Sequence, residues 1–511
     1  MSESGLGSPV AVSTPSRLSS FLDRAGLQGF PWVSAIVLYT ISWGWILIVR
    51  DSYWADDWYL FPPYAQFDWS EQGFAPWLKY QVDFLDFAGV ATLHVIIFLC
   101  FFLSALFLFG ILGKQCLFSL SDSRFIVLLF LILPFNTARV ALMVFWYTTG
   151  YFIFFAGWYF LIRSKRLSGR ILATLLFFVS FQLHSLLPYY LLPLFHYFFM
   201  AKAKTLKELL RWFKSNSFIV SLPVIYWIMR ANFWPERVLY HDVTAKRAID
   251  SLSFMVLLVL VFATTFYFHA SSQRRETIKK LSFSSLAILI GLLPYFLIGH
   301  YSLNSFGVFR YFLDLFGRSD WYSRHQILQP LGVAMIIVST LGLRIFRTEK
   351  LRRRAICVVL AISSVFNFGF GFEYMSDFSK QQVIVKTLKD KKFIDAKNLF
   401  EFIDETALLN GRSRHYRERD WKGLIWLAYG EAEMKKAIIS MECKEYKDAR
   451  LVLIQGPETH WQALKNWVRD RDMGFKVTID DTPGACKPEM VTAERVSGVI
   501  PILFYFTGAK N

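Results

Sequence analysis

The chain has 511 residues, 54% of them hydrophobic and 18% aromatic, with 52 phenylalanines and only 19% charged residues. Its mean hydropathy is +0.36, and repeated apolar runs exclude an ordinary soluble globular protein in favour of a polytopic α-helical membrane protein. The formal net charge of +17 does not make it a nucleic-acid binder. The basic residues are scattered over short loops without a folded module, so positive-inside bias accounts for them and no nucleic-acid partner is expected.

In chain order, residues 1–32 are polar and rich in Ser, Gly and Pro. With no short apolar core and no small-residue cleavage site, they read as a flexible cytoplasmic tail rather than a signal peptide. About eleven apolar runs follow, near 33–49, 90–112, 124–138, 146–162, 171–186, 187–200, 216–230, 252–269, 282–299, 327–343 and 355–371, and together they predict a membrane domain over 33–371. Pro134, Pro188 and Pro193 predict broken or re-entrant helices at 124–138 and 171–200. Taken alternately, the loops fall into two sets. The tail, 113–123, 163–170, 201–215, 270–281 and 344–354 form one set, and after the tail each holds Lys or Arg, as in RIFRTEKLRRR. The other set is 50–89, 139–145, 231–251 and 300–326. Its first member carries Asp51, Asp56, Asp57, Asp68, Glu71, Asp83 and Asp86 against Arg50 and Lys79. This asymmetry predicts a cytoplasmic N-terminus, a first external loop at 50–89 and an extracytoplasmic C-terminal region.

Residues 372–511 are richer in charge and read as a soluble α/β domain large enough for its own core. Within it, FIDAKNLFEFIDETALLN (393–410) has a helical look, whereas ARLVLIQG (449–456), MKKAIISM and GVIPILFYF read as strands. Cys100 and Cys357 fall in apolar runs and Cys116 in a cytoplasmic loop. Cys443 and Cys486 share the outer domain, where an oxidising compartment would let them pair; two buried thiols are the alternative.

The stretch RDSYWADDWYLFPPY, residues 50–64, opens the acidic outer loop directly after the first run. Asp51, Asp56 and Asp57 sit there among Tyr53, Trp54, Trp58 and Tyr59. Aromatic rings hold such a loop at the water–lipid interface, and desolvation makes a carboxylate a stronger base. A solvated acidic loop is the plain alternative. Residues 73–88 read as an amphipathic helix lying along the surface. Other outer segments offer His184, Arg237, His241, Arg310, Arg318, Arg324 and His325. One carboxylate taking the proton of an acceptor hydroxyl, with Arg and His around a departing phosphate, suits transfer of a sugar carried on a lipid phosphate. Arg324 and His325 can equally anchor the end of a span, and a lone His184 reads also as a packed helix-end residue.

In this layout, and in YWADDWYLF and DWYSRHQILQPLG (320–332), the chain resembles the C-type glycosyltransferase superfamily (GT-C). These are polytopic enzymes with an acidic motif just after the first span, and many end in a soluble outer domain. The second motif is similar to one in bacterial members from surface-polysaccharide gene clusters. The resemblance implies an inverting glycosyltransferase of the plasma (inner) membrane acting in cell-envelope polysaccharide biosynthesis. Its donor would be a polyprenyl-phosphate-linked sugar and its acceptor a glycan, lipid or protein on the outer face. Asp57 or Asp56 would be the base, and Arg324, His325, Arg318 and His184 the candidates for the donor phosphate. Some members hold a divalent cation on several external acidic motifs. Here Asp242, Asp314 and Asp320 each stand alone, so a divalent cation stays open as a cofactor without any ligand being assigned to it.

No dinucleotide fingerprint, phosphate loop or zinc spacing appears in a fitting context. Nor is there a cytoplasmic domain large enough for a nucleotide sugar, which favours a lipid-linked donor. Two alternatives remain. A polysaccharide polymerase or ligase would also use lipid phosphate and rest on the Arg/His loops. A transporter or flippase for lipid-linked glycan would place charges inside the spans, whose middles are almost free of them.

Overall fold

The structure, a computed structural model, describes residues 25–49, 53–54, 57, 77–113, 117–164, 166–200, 206–235, 256–257, 259–264, 276–297, 321–342, 348–390, 399–406, 416–430, 438–440, 450–457 and 460–480. Helix dominates. The first apolar run is α1 (Trp32–Trp43) continued by a 3-10 turn, Gly44–Leu47. Then come α2 (Trp77–Leu112), α3 (Leu120–Ile132), α4 (Phe145–Arg163), α5 (Leu167–Ser180), the short α6 (Leu186–Tyr189) and α7 (Leu191–Met200). After these lie α8 (Leu206–Ser215), α9 (Ser217–Phe233), α10 (Glu276–Leu297), α11 (Gln329–Leu341) and α12 (Glu349–Asp390). Among the described residues, three stretches are long and apolar enough to cross a membrane: Phe87–Leu112, Ile278–Tyr295 and α12. Trp32–Leu47, α5, α9 and α11 are shorter apolar helices. Ile36, Ile41, Val224, Trp227, Ile362 and Phe368 point outward, as expected of faces surrounded by lipid.

Glycine marks two places where the backbone demands it. In α2, Gly89 adopts φ 76° and ψ 157°, a region open essentially to glycine alone, where another residue would cost about 1–3 kcal/mol. It splits the helix between a charged first part and the unbroken apolar span. In α11, a Cβ on Gly332 would lie 2.8 Å from the Ile288 backbone nitrogen of α10, so the two helices touch backbone to backbone.

Between α3 and α4 the chain unwinds. Residues 133–142 are all buried, and backbone that is not helical is tolerated at this depth only when its polar groups find partners in the protein. They do. Trp43 Nε1 donates to the Leu131 carbonyl at 3.0 Å, and Asn367 Nδ2 donates to that of Ile132. The ring Nε2 of His94 bonds the Val140 carbonyl at 2.8 Å. Arg139, fully buried, donates to the carbonyls of Asn136 and Phe135. Its guanidinium is sandwiched between Trp43 and Phe101, 3.6 and 3.9 Å from their ring centres, a packing that offsets part of the cost of burying a cation.

The C-terminal domain holds a four-stranded sheet ordered β2-β1-β3-β4, from β1 (Leu399–Asp404), β2 (Ile438–Ser440), β3 (Arg450–Gln455) and β4 (Lys476–Asp480). The pairs β1·β2 and β1·β3 are parallel, and β4 runs antiparallel to β3. Its helices are α13 (Glu418–Tyr429) and α14 (His460–Asp470). Residues 399–404, expected within a helix, form the strand β1 instead. The alternation of Phe400 and Phe402 with Glu401 suits a strand, and register with β3 buries Phe402 against Trp421 of α13, ring centres 4.1 Å apart. Cys443, Cys486 and the segment GVIPILFYF lie outside the described residues.

The last helix joins the two parts. α12 runs 42 residues without a break, about 63 Å, twice the roughly 30 Å of a bilayer core. It passes through the 371/372 boundary, and its far end enters the domain core, where Ile384 and Leu388 pack with Phe402, Trp421 and Val452.

Candidate functional site

Contacts sort the loops onto two ends of the bundle. At one end Tyr159 Oη donates to the Ala25 carbonyl (2.9 Å) and Arg163 to that of Gly110 (3.2 Å). Here also Arg124 reaches the Gly29 carbonyl, and Asp122 binds both Lys280 and Arg352. These residues come from, or border, the N-terminal tail and the loops 113–123, 163–170, 270–281 and 344–354, which the charge pattern had placed on one side. At the opposite end lie the Asp57 turn, the unwound 136–144 segment, the 3-10 turn Trp321–Gln326 and the domain end of α12.

Asp57 is fully buried. Its Oδ2 accepts the Trp54 N–H at 2.8 Å, and its own N–H donates to the Trp54 carbonyl at 3.0 Å, closing a tight turn. Two contacts with α12 fix that turn. Trp54 stands edge-on to Tyr374, ring centres 5.0 Å apart, and Tyr374 stacks on Trp45 at the end of the first span. The Tyr53 carbonyl accepts from Gln381 Nε2 at 3.0 Å. The side chain of Tyr53 packs with Tyr147 on a buried cluster of Leu93, Ile97, Leu142, Phe145 and Trp146.

Arg324 reaches the same neighbourhood from the other direction. Its 3-10 turn docks on the unwound segment through Ser323, whose Oγ lies 3.0 Å from Thr137 Oγ1 and accepts the Ala138 N–H at 2.8 Å. The Arg324 guanidinium is half-buried and faces the Tyr147 hydroxyl. Asp57 and Arg324 thus share one end of the bundle, joined by the cluster on which Tyr53 and Tyr147 pack. His325 occupies the same turn as Arg324. His184 sits elsewhere, half-buried in the connection between α5 and α6, with Arg230 of α9 as a neighbouring charge. Asp56 and Arg318 lie outside the described residues.

Sequence reasoning missed the polar face of α12. Glu373, Asp377, Lys380 and Gln381 are all buried there. Lys380 pairs with Asp404 of β1, and Asp377 accepts from the Tyr416 hydroxyl at 2.9 Å. The signal was the spacing of Glu373, Asp377 and Lys380, four and then three residues apart, which puts them on one helical face. In the domain, burial raises the Tyr416 phenol well above its usual range, and the charges of Asp377 and Asp404 add to the effect. Burial also pushes the Asp420 carboxyl up to about 7, although it caps α13 by accepting the Arg417 N–H at 2.6 Å. Among the described residues no three His, Cys, Asp or Glu side chains gather as a cation site.

What the arrangement defines is a helical protein with spans fit for a membrane, a fixed buried carboxylate and a guanidinium at one end, and an α/β domain seated above them. Compared with known protein families, with curated proteins and with solved structures, the chain matches none.

Proposed function

We propose that the protein is an inverting glycosyltransferase that moves a sugar from a polyprenyl-phosphate-linked donor to a glycan, lipid or protein acceptor on the outer face of the inner membrane. The observation that carries this reading is the placement of Asp57, a buried carboxylate fixed in a turn at the same end of the bundle as Arg324. Asp57 takes the proton of an acceptor hydroxyl, and the acceptor oxygen attacks the anomeric carbon. The bond from that carbon to the phosphate oxygen breaks on the opposite face, and Arg324 neutralises the phosphate as it leaves. The basic loops then lie in the cytoplasm and the Asp57 end faces outward, where the donor phosphate sits at headgroup depth with its isoprenoid tail against apolar helix faces. Asp56, His325 and Arg318 remain candidates for the same site, whereas His184, beside Arg230 in the connection between α5 and α6, stands apart from it.

The test is transfer from polyprenyl-phosphate hexoses in membranes holding the wild type, Asp57→Asn or Asp56→Asn. Asp57→Asn is expected to lower transfer by about 10²–10⁴-fold with the protein inserted and eluting as wild type. Full activity in Asp57→Asn with loss in Asp56→Asn moves the base to Asp56; full activity in both ends the assignment. Arg324→Ala is expected to weaken use of the donor more than of the acceptor.

A further inference from the structure

An unbroken series of hydrogen bonds runs from the outer domain to the Asp57 turn. The Tyr416 hydroxyl donates to Asp377 Oδ1 at 2.9 Å. Asp377 Oδ2 accepts from Gln381 Nε2 at 3.3 Å. The same amide donates to the Tyr53 carbonyl at 3.0 Å, and the N–H of Trp54, the next residue, donates to Asp57 Oδ2 at 2.8 Å. Asp377 and Gln381 are buried, one helical turn apart on α12.

The geometry gives each member a task. Gln381 meets Tyr53 with both ends of its amide, since the Tyr53 N–H also points at Oε1, 3.5 Å away. A planar amide offers a donor and an acceptor side by side, so Gln381 pairs with Tyr53 as a neighbouring strand would. Asp377 orients that amide by taking one of its hydrogens. Tyr416 holds Asp377 in turn, and the Lys380 ammonium, paired with Asp404 of β1, lies 4.6 Å from the centre of the Tyr416 ring. The domain therefore reaches the turn through its docking on α12.

We propose that Gln381 is a positioning residue for Asp57, and that seating of the outer domain, through Tyr416 and Asp377, sets the position. This rests on the reading of Asp57 as the base. A carboxylate whose turn is loosened still receives the acceptor but holds it less often in the attacking geometry, so turnover falls while donor affinity stays.

The experiment compares full-length wild type, Gln381→Ala and Tyr416→Phe in lipid nanodiscs by two readouts: hydrogen exchange of the amides of residues 53–57, and release of polyprenyl phosphate from polyprenyl-phosphate hexoses, with a bacterial envelope extract of glycans and lipids supplied as acceptor. Tyr416→Phe keeps the ring against Trp421 (4.9 Å between centres) and removes only the O–H. Tyr429→Phe is the control; it deletes another bond of the same junction, to the Leu388 carbonyl at 2.6 Å, off the path to Tyr53. Both test variants are expected to exchange faster at 53–57. Their kcat should fall by about 10-fold for Tyr416→Phe and about 100-fold for Gln381→Ala, with KM for the donor within about two-fold. Tyr429→Phe should change neither. Unchanged exchange, faster exchange with unchanged kcat, or the same response from Tyr429→Phe would each overturn the proposal. If the wild type releases no polyprenyl phosphate, the transferase reading falls and takes the catalytic role of Gln381 with it. Faster exchange in the variants would then show a tether without that chemistry.

Discussion

Each end of the helical bundle is tied by charged side chains, and the two ties differ in kind. At the basic end Asp122 of α3 collects Lys280 of α10 and Arg352 of α12, whose side chains remain 17% and 15% exposed. Asp122 also closes the capping box of α3 with Ser119, so it staples three helices and finishes one. At the domain end Lys380 is only 1% exposed in its pair with Asp404, and Asp377, Tyr416 and Asp420 crowd beside it. The first tie keeps its cations within reach of water and is screened by salt. The second has given up water, so every member depends on every other. Position explains the contrast. The staple sits at the ends of helices and keeps partial exposure, whereas the second cluster is covered by a folded domain.

Breaking the buried tie should have the largest effect. Lys380→Ala takes the counter-charge from Asp404, which keeps its bonds from the Thr406 N–H and hydroxyl, and is expected to cost about 3–5 kcal/mol, read as early loss of the domain transition in thermal unfolding. The double change Lys380→Met with Asp404→Leu should recover most of it. Asp420 sharpens the same contrast through pH. Its carboxyl is raised to about 7 in the folded domain, against about 3.9 in an unfolded chain. The folded state therefore holds a proton that the unfolded state has released, and stability falls as pH rises from about 4 to 7. Asp420→Asn, which keeps an acceptor for the Arg417 N–H, is expected to flatten that slope and gain on the order of a few kcal/mol over wild type above pH 7. Asp122→Asn should be mildest, about 1–2 kcal/mol. Its effect should shrink as salt is raised, whereas the cost of Lys380→Ala should not.

Much of the bundle was legible because hydrophobic runs and basic loops are one-dimensional signals. Pro134 lies just past Ile132, where α3 has ended, and Pro188 falls in the short α6 between α5 and α7. The strand at 450–455 was legible as a short apolar run closed by Gly456. Two things were hidden. Asn136 falls in the run 124–138, expected to be broken or re-entrant, and Arg139 at the start of the outer loop 139–145; what stayed hidden were the partners far along the chain, Trp43 and Asn367, that hold this stretch inside the bundle. The rise in charge at Glu373 looked like the start of a separate domain, yet the same residues are the buried face of a continuing helix. Composition measures polarity and not what covers it. Within the candidate site, Asp57 and Arg324 could be named from the sequence. Gln381 could not, because its role comes from a partner 328 residues away.

A single unbroken rod carries Arg352 at one extremity and Gln381 near the other. Over the about 44 Å between them, a lean of about 1° at the anchored foot shifts Gln381 by about 0.8 Å, close to the roughly 1 Å of misplacement that can slow a reaction about 100-fold. Lever arithmetic thus makes the Asp122 staple a matter of alignment on the far side of the bundle.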